Sequence, residues 1–220
     1  MSFVVGIDGP AGTGKGTITN LVAKDLNLSQ IDMYRAFALY MLDNNVALDE
    51  IEKIKELLEK VKIDLIQEND KETVFLNGKD VTSEIRSNRV TKVVSPISSI
   101  IEVRIKMVEL QRKMAEGKNV IMEGRDITTY VFPNADVKIY LDADVEERAR
   151  RRYKENVEKG IETTFEEVLE DMKKRDYNDM HKPMGALKVA EDAVVIDTTK
   201  LSIEEVKEKV EEVIKNKIES

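Results

Sequence analysis

Three observations predict an α/β fold of three layers, a parallel five-stranded sheet covered by helices on both faces. Short apolar, β-branched runs alternate along the chain with longer segments of helical period. A glycine-rich loop joins the first such run, Phe3 to Ile7, to the first helix, Thr17 to Leu26. Roughly residues 62–94 break the alternation and read as a small insert.

The elements follow in order. Ser29 to Ile31 is a second short strand. Met33 to Leu42 and Asp49 to Val61 read as helices, the latter with Asp49 as N-cap ahead of Ile51, Ile54 and Leu58. Lys62 to Val81 alternates apolar and polar residues and carries Asn77-Gly78, a hairpin turn dipeptide, so an antiparallel patch is expected. Thr82 to Thr91 is polar, irregular or helical. Ile97 to Ala115 is one long helical pattern closed by Gly117. Strands are expected at Asn119 to Met122, Val137 to Leu141 and Ala193 to Ile196. Helices are expected at Val145 to Lys159, which is strongly basic, and at Phe165 to Tyr177. The last helix, Ile203 to Ile218, opens on Ser202 with Glu205 three residues on, a capping box.

The bulk numbers bound the function. A chain of 220 residues suits one domain with a small insert. Charged residues make up 35%, mostly on patterns that read as solvated helix faces. A net charge of −8 argues against a non-specific nucleic-acid binder but permits a local basic pocket. Without cysteine, disulfides, cysteine zinc sites and thiol catalysis are excluded. The first residues lack the basic region of a signal peptide. No apolar run reaches the ~20 residues of a membrane span. A cytoplasmic location is expected.

Gly9-Pro10-Ala11-Gly12-Thr13-Gly14-Lys15-Gly16-Thr17 fits a phosphate-binding P-loop between a strand and a helix, with the hydroxyl one residue later than usual. Glycines let successive N–H groups turn toward phosphate oxygens, and the helix adds its positive end. Lys15 is expected to reach the outer phosphates of a nucleoside triphosphate, and Thr17 to help place Mg²⁺. Asp8 is either a carboxylate on the Mg²⁺ side or a turn cap. Glu123 either orders water around Mg²⁺ or pairs with a neighbouring arginine.

Arg125 and Arg35 stand where loops should leave strands, Arg148, Arg150, Arg151 and Arg152 lie on the basic helix, and Arg175 ends the next one. Phosphoryl transfer between two nucleotides asks the protein mainly to align and neutralise phosphates, which suits the guanidinium fork. His181, the sole histidine, reads as a solvated surface residue.

These stretches, with Val81 to Arg86, Gly124 to Ile127, Val131 to Ala135, Glu146 to Ala149 and Ile196 to Thr199, resemble the bacterial cytidylate kinases nearly end to end. These are P-loop nucleoside monophosphate kinases with an extra module beside the acceptor region. The resemblance implies transfer of the γ-phosphate of ATP to CMP and dCMP, with Mg²⁺ as cofactor. It implies that Ser95, Arg104 and Asp126 read the cytosine edge, Arg35 and Arg125 hold the CMP phosphate, and Arg175 and Asp179 contact the sugar. It further implies a mobile lid over ATP, with Arg148 and Arg152 near the phosphates. With Lys15 and Arg125 these are the expected catalytic groups. The implied organisation is a core of 1–32, 95–144 and 182–220, an NMP-binding region of 33–94 and a lid of 145–181. Partners are the two nucleotides alone, with no nucleic acid or membrane, and a monomer is expected. A carboxylate at Asp126 accepts from cytosine's exocyclic amine, where uracil offers a carbonyl, so CMP is expected over UMP.

Three positions depart from the family pattern. Asp32-Met33-Tyr34-Arg35 lacks the hydroxyl residue, glycine and alanine that the family carries after its Asp, so Arg35 is expected to be displaced. Glu123 replaces an Asp. Lys182, expected at the CMP phosphate, replaces an Arg and loses its fork. Kinases for AMP, UMP or shikimate and a non-catalytic relative are the alternatives. A GTP-binding switch lacks its Asn-Lys-x-Asp reader here, Asn77-Gly78-Lys79-Asp80 being in the wrong order.

Overall fold

The computed structural model describes residues 3–30, 33–68 and 71–218. In chain order the elements are β1 (Val4–Asp8), α1 (Lys15–Asp25), β2 (Ser29–Gln30), α2 (Met33–Asp43) and α3 (Ile51–Lys60). Then come β3 (Ile63–Glu68), β4 (Lys71–Leu76), β5 (Lys79–Asp80), α4 (Asn88–Ile97) and α5 (Ile101–Ala115). The remainder is β6 (Val120–Gly124), β7 (Val137–Asp142), α6 (Val145–Glu158), α7 (Phe165–Met180), β8 (Val194–Asp197) and α8 (Ile203–Ile218). Short turns of 3₁₀ and π helix span Glu84–Arg86 and Ile127–Val131.

The contacts divide the chain into two compact units, one of Phe3–Leu28 with Asn119–Ser220, the other Ser29–Lys118. These boundaries differ from the expected ones. Residues 95–118, expected in the core, fall in the second unit because α4 packs on α2, and α5 on α2 and α3. Residues 145–181, the expected lid, are part of the first unit.

The first unit is built on parallel strands in the order β6-β1-β7-β8. Alternate side chains point to opposite faces. Val5, Ile7, Ile121, Ile139, Leu141 and Ile196 therefore share one face, packed against Ile18 and Val22 of α1 and Val206, Val210 and Ile214 of α8. The capping box of α8 is formed: Ser202 N donates to Glu205 Oε2 at 2.8 Å and Glu205 N to Ser202 Oγ at 3.2 Å. A second box, Thr164 with Glu167, starts α7. At the end of β1 the chain turns at Gly9, with φ 148°, and a side chain there would collide with the Leu141 carbonyl of β7. Only glycine lets the loop leave the sheet at this point.

In the second unit β3, β4 and β5 form an antiparallel sheet. Asn77 and Gly78, at φ 49° and 82°, make the turn between β4 and β5. The long pattern 97–115 is interrupted: α4 ends at Ile97, with Pro96 in its last turn, and α5 starts at Ile101. The N-cap position of α3 is Glu50 rather than Asp49, with no side-chain cap, and Glu50 Oε2 instead accepts from Ala47 N at 2.8 Å. The second expected strand is present as β2, while Ile31 and Asp32 lie outside the described residues. Among the described residues no helix is long and apolar enough to cross a membrane.

Candidate active site

The loop 9–14 leaves the carboxyl end of β1, where open α/β sheets bind ligands. No side chain caps α1, whose N-cap is Gly14 at φ 87°. The positive end of the helix and its first N–H groups are thus offered to an anion. Lys15, the first helical residue, is only 5% exposed. Its ammonium bends back to donate to the Pro10 carbonyl at 2.6 Å and Thr13 Oγ1 at 3.3 Å. Burial, and then the charge of Arg125, lower its pKa to about 7, against the pull of Glu123 and Asp8. A phosphate oxygen is a stronger partner for that ammonium than a carbonyl. Gly16 follows inside α1, and Thr17 is exposed on its first turn.

Asp8 is fully buried. Its oxygens accept from Ile127 N at 2.8 Å, Thr128 N at 2.7 Å and Thr128 Oγ1 at 2.6 Å. Of the two readings open from the sequence, the geometry realises the cap, here of the π turn 127–131. Burial raises its pKa, and these hydrogen bonds offset part of that rise. Asp8→Asn places an amide against a backbone donor. We expect a stability loss of about 1–3 kcal/mol, read from the urea midpoint, with the folded fraction still active. Lost turnover at unchanged stability would contradict this.

Glu123 closes β6 together with Gly124 and is exposed. It makes no salt bridge among the described residues. Its Oε1 lies 3.9 Å from where a Cβ on Gly16 would stand, beside the first turn of α1. Arg125, next in the chain, donates from Nε to Asp179 Oδ2 at 2.8 Å and from Nη1 to the Gly124 carbonyl at 3.3 Å. Lys182 Nζ lies 3.0 Å from the other Asp179 oxygen. Burial alone would raise the Asp179 pKa, but the Arg125 and Lys182 charges and hydrogen bonds outweigh it and hold it low. Asp179, on α7, is thus the pivot of a triad with Arg125 and Lys182. Asp126 is buried, and its carbonyl accepts from Tyr130 N and Val131 N. Arg175 is exposed on α7.

Arg148, expected near the phosphates, is engaged by protein groups on every side of its guanidinium. Arg148 is only 5% exposed. Its Nε donates to the Ala143 carbonyl at 2.9 Å and its Nη1 to the Ala11 carbonyl at 3.0 Å. The fork also grips Asp176, Nη1 to Oδ1 at 3.1 Å and Nη2 to Oδ2 at 2.6 Å. A guanidinium so engaged supports the loop through the Ala11 carbonyl. Arg152 donates from Nη1 to Glu155 Oε2 at 3.0 Å and lines a cavity of about 610 Å³ running from Gly12, Gly14 and Thr17 to Thr198 and Lys200. Arg151 braces the far wall, donating to the Thr198 carbonyl at 2.6 Å. Thr198–Leu201 lie just beyond the carboxyl end of β8, a position rule that would have flagged them, but sequence reasoning assigned them no role. Asp176 carried no signal in the sequence, since acidic residues are frequent all along α7.

In the second unit Arg35 donates to the Ile85 carbonyl at 3.2 Å and Thr91 Oγ1 at 3.0 Å. Arg104 is buried, with its guanidinium 5.9 Å from the Tyr34 ring centre. Ser95, half-buried on α4, accepts through its carbonyl from Ser98 Oγ and Ser99 Oγ.

The profile of the family described as Cytidylate kinase matches residues 5–216. The chain belongs to the cytidylate kinase family. A cytidylate kinase of Caldicellulosiruptor saccharolyticus is 48% identical over 209 residues, spanning 94% of this chain and 92% of that protein. One of Fusobacterium nucleatum is 47% identical over 208 residues, spanning 93% and 94%. Among solved structures, a shikimate kinase from Bacteroides thetaiotaomicron matches with a TM-score of 0.50 at 12% identity, over 98% of this chain and 99% of that one. At that identity the likeness is one of fold.

Proposed function

We propose that the chain transfers the γ-phosphate of ATP to CMP, and also to dCMP, giving CDP or dCDP and ADP. The observation that carries the transfer chemistry is the buried Lys15 ammonium in its glycine-rich loop, with Arg125 close enough to lower its pKa. The choice of CMP as acceptor rests on membership of the family.

In this reading the loop Gly9 to Thr17 and Lys15 hold the triphosphate, and the cavity edged by Arg152 and Thr198 takes the donor nucleoside. Arg125 and Lys182 hold the acceptor phosphate. Within the first unit Asp126 reads the cytosine edge and Arg175 and Asp179 contact the sugar; in the second unit Ser95 and Arg104 are proposed for the base edge and Arg35 for the phosphate. An acceptor oxygen attacks the γ-phosphorus in line while Lys15, Arg125 and Arg152 offset the spreading charge. The hydroxyl of Thr17 and the carboxylate of Glu123 suit Mg²⁺, a hard cation that keeps several waters. Asp8 does not suit it, since its oxygens are committed to 127–128. When bound with ATP, the cation neutralises charge on the outer phosphates. The tip of the α6–α7 hairpin is the lid of this reading, and the enzyme works as a cytoplasmic monomer.

The test is ADP formation from Mg²⁺-ATP with CMP, dCMP, UMP and AMP offered separately. Turnover with CMP and dCMP well above UMP and AMP is expected. No turnover with any acceptor, in a protein that binds ATP, would mean that the shortened segment after Asp32 has cost the chain its acceptor site.

A further inference from the structure

Helix α7 presents Met172, Asp176 and Asp179 at spacings of four and three, hence on one face. Each meets a different part of the site. Asp179 holds Arg125. Asp176 holds Arg148. The Met172 methyl lies 3.3 Å from where a Cβ on Gly12 would stand, and Arg148 Cβ lies 3.1 Å from the same point. The apex of the phosphate loop, Ala11-Gly12, therefore rests on α6 and α7.

The hydrogen bond from Arg148 to the Ala11 carbonyl has a consequence for the next amide. In a planar trans peptide the carbonyl and the following N–H point in opposite directions. Holding the Ala11 oxygen against Arg148 turns the Gly12 N–H away from Arg148. Gly12 has φ 83°, in a region glycine enters freely, so nothing intrinsic to the residue fixes that peptide plane. Arg148 fixes it. Arg148 in turn is held by both oxygens of Asp176.

We infer that Asp176 is a positioning residue for ATP: through Arg148 it locks the Ala11-Gly12 peptide, and so the orientation of one N–H donor of the phosphate loop. This rests on the reading of that loop as the triphosphate site. A plain ion pair joining α6 to α7 would stabilise the fold without touching ATP affinity. The local core of Ala149, Val168 and Met172, with Tyr153 and Phe165 edge-to-face at 6.4 Å, already joins those helices.

Titration calorimetry of the full chain with Mg²⁺-ATP, and separately with CMP, tests the inference. Wild type is expected to bind both. Asp176→Asn keeps the shape but loses the charge and one acceptor, and should bind ATP about 10–100-fold more weakly with CMP binding unchanged. Because this variant also loses stability, the paired change Arg148→Met with Asp176→Leu is the second arm. Apolar replacement of a buried pair usually preserves the fold. That variant should be folded and still be defective for ATP, because the Ala11 peptide remains unlocked. Wild-type ATP affinity in either folded variant overturns the proposal and leaves the pair a helix-joining contact. A wild-type chain that binds no ATP refutes the phosphate-loop reading itself, and this role with it.

Discussion

Lys15→Met should lower turnover by about 10³-fold or more while the thermal midpoint stays level or rises. The two halves of that expectation have separate causes. The ammonium is the cation that the loop itself supplies to the outer phosphates. Methionine keeps the length of the side chain and loses every donor. Stability behaves differently because Lys15 is nearly dry. Burial and the nearby Arg125 disfavour its charge, and its compensation is one carbonyl and one hydroxyl. Replacing such a charge with an apolar chain of similar volume is often neutral or stabilising. Steady-state ADP formation and a thermal melt on the same preparation give both readings. Near-wild-type turnover would remove Lys15 from the chemistry, and a large fall in the midpoint would make it a structural residue.

Arg125→Lys should lower turnover with CMP by about 10²–10³-fold, with ATP binding nearly unchanged. Arg125 stands just past the carboxyl end of β6, and its guanidinium is oriented by Asp179 through Nε and by the Gly124 carbonyl through Nη1. Those two bonds fix the plane of the fork. Lysine keeps the charge that Asp179 needs, so the buried carboxylate is not abandoned and the fold survives. It cannot present two parallel donors to a phosphate. The effect should appear in kcat and in the KM for CMP. A change confined to ATP binding would assign Arg125 to the donor and contradict the acceptor role. Arg125→Ala is the less informative change, because it leaves Lys182 alone against the Asp179 charge and mixes stability with chemistry.

The sequence by itself determined the strands, the phosphate loop between β1 and α1, the hairpin at Asn77-Gly78 and the capping box of α8. All are local: period, turn chemistry and spacing act within a few residues, and near neighbours decide them. The chemistry-bearing residue types of the loop were equally legible, since a P-loop must carry glycines and a lysine close together in the chain. The break between α4 and α5 was not visible, because the apolar period ran through it. Other features depended on residues far apart in sequence. Arg148, Arg150 and Arg152 look alike on one basic helix, yet the Arg150 side chain is 64% exposed and the Arg152 side chain 39%, while Arg148 is buried against Ala11 and Asp176. Asp8 could serve a cation or a turn until residues 127–128 were folded over it. Which arginine meets solvent, and which carboxylate is spent on backbone amides, is set by packing across more than 100 residues of chain in the case of Asp8, and only the tertiary structure decides it.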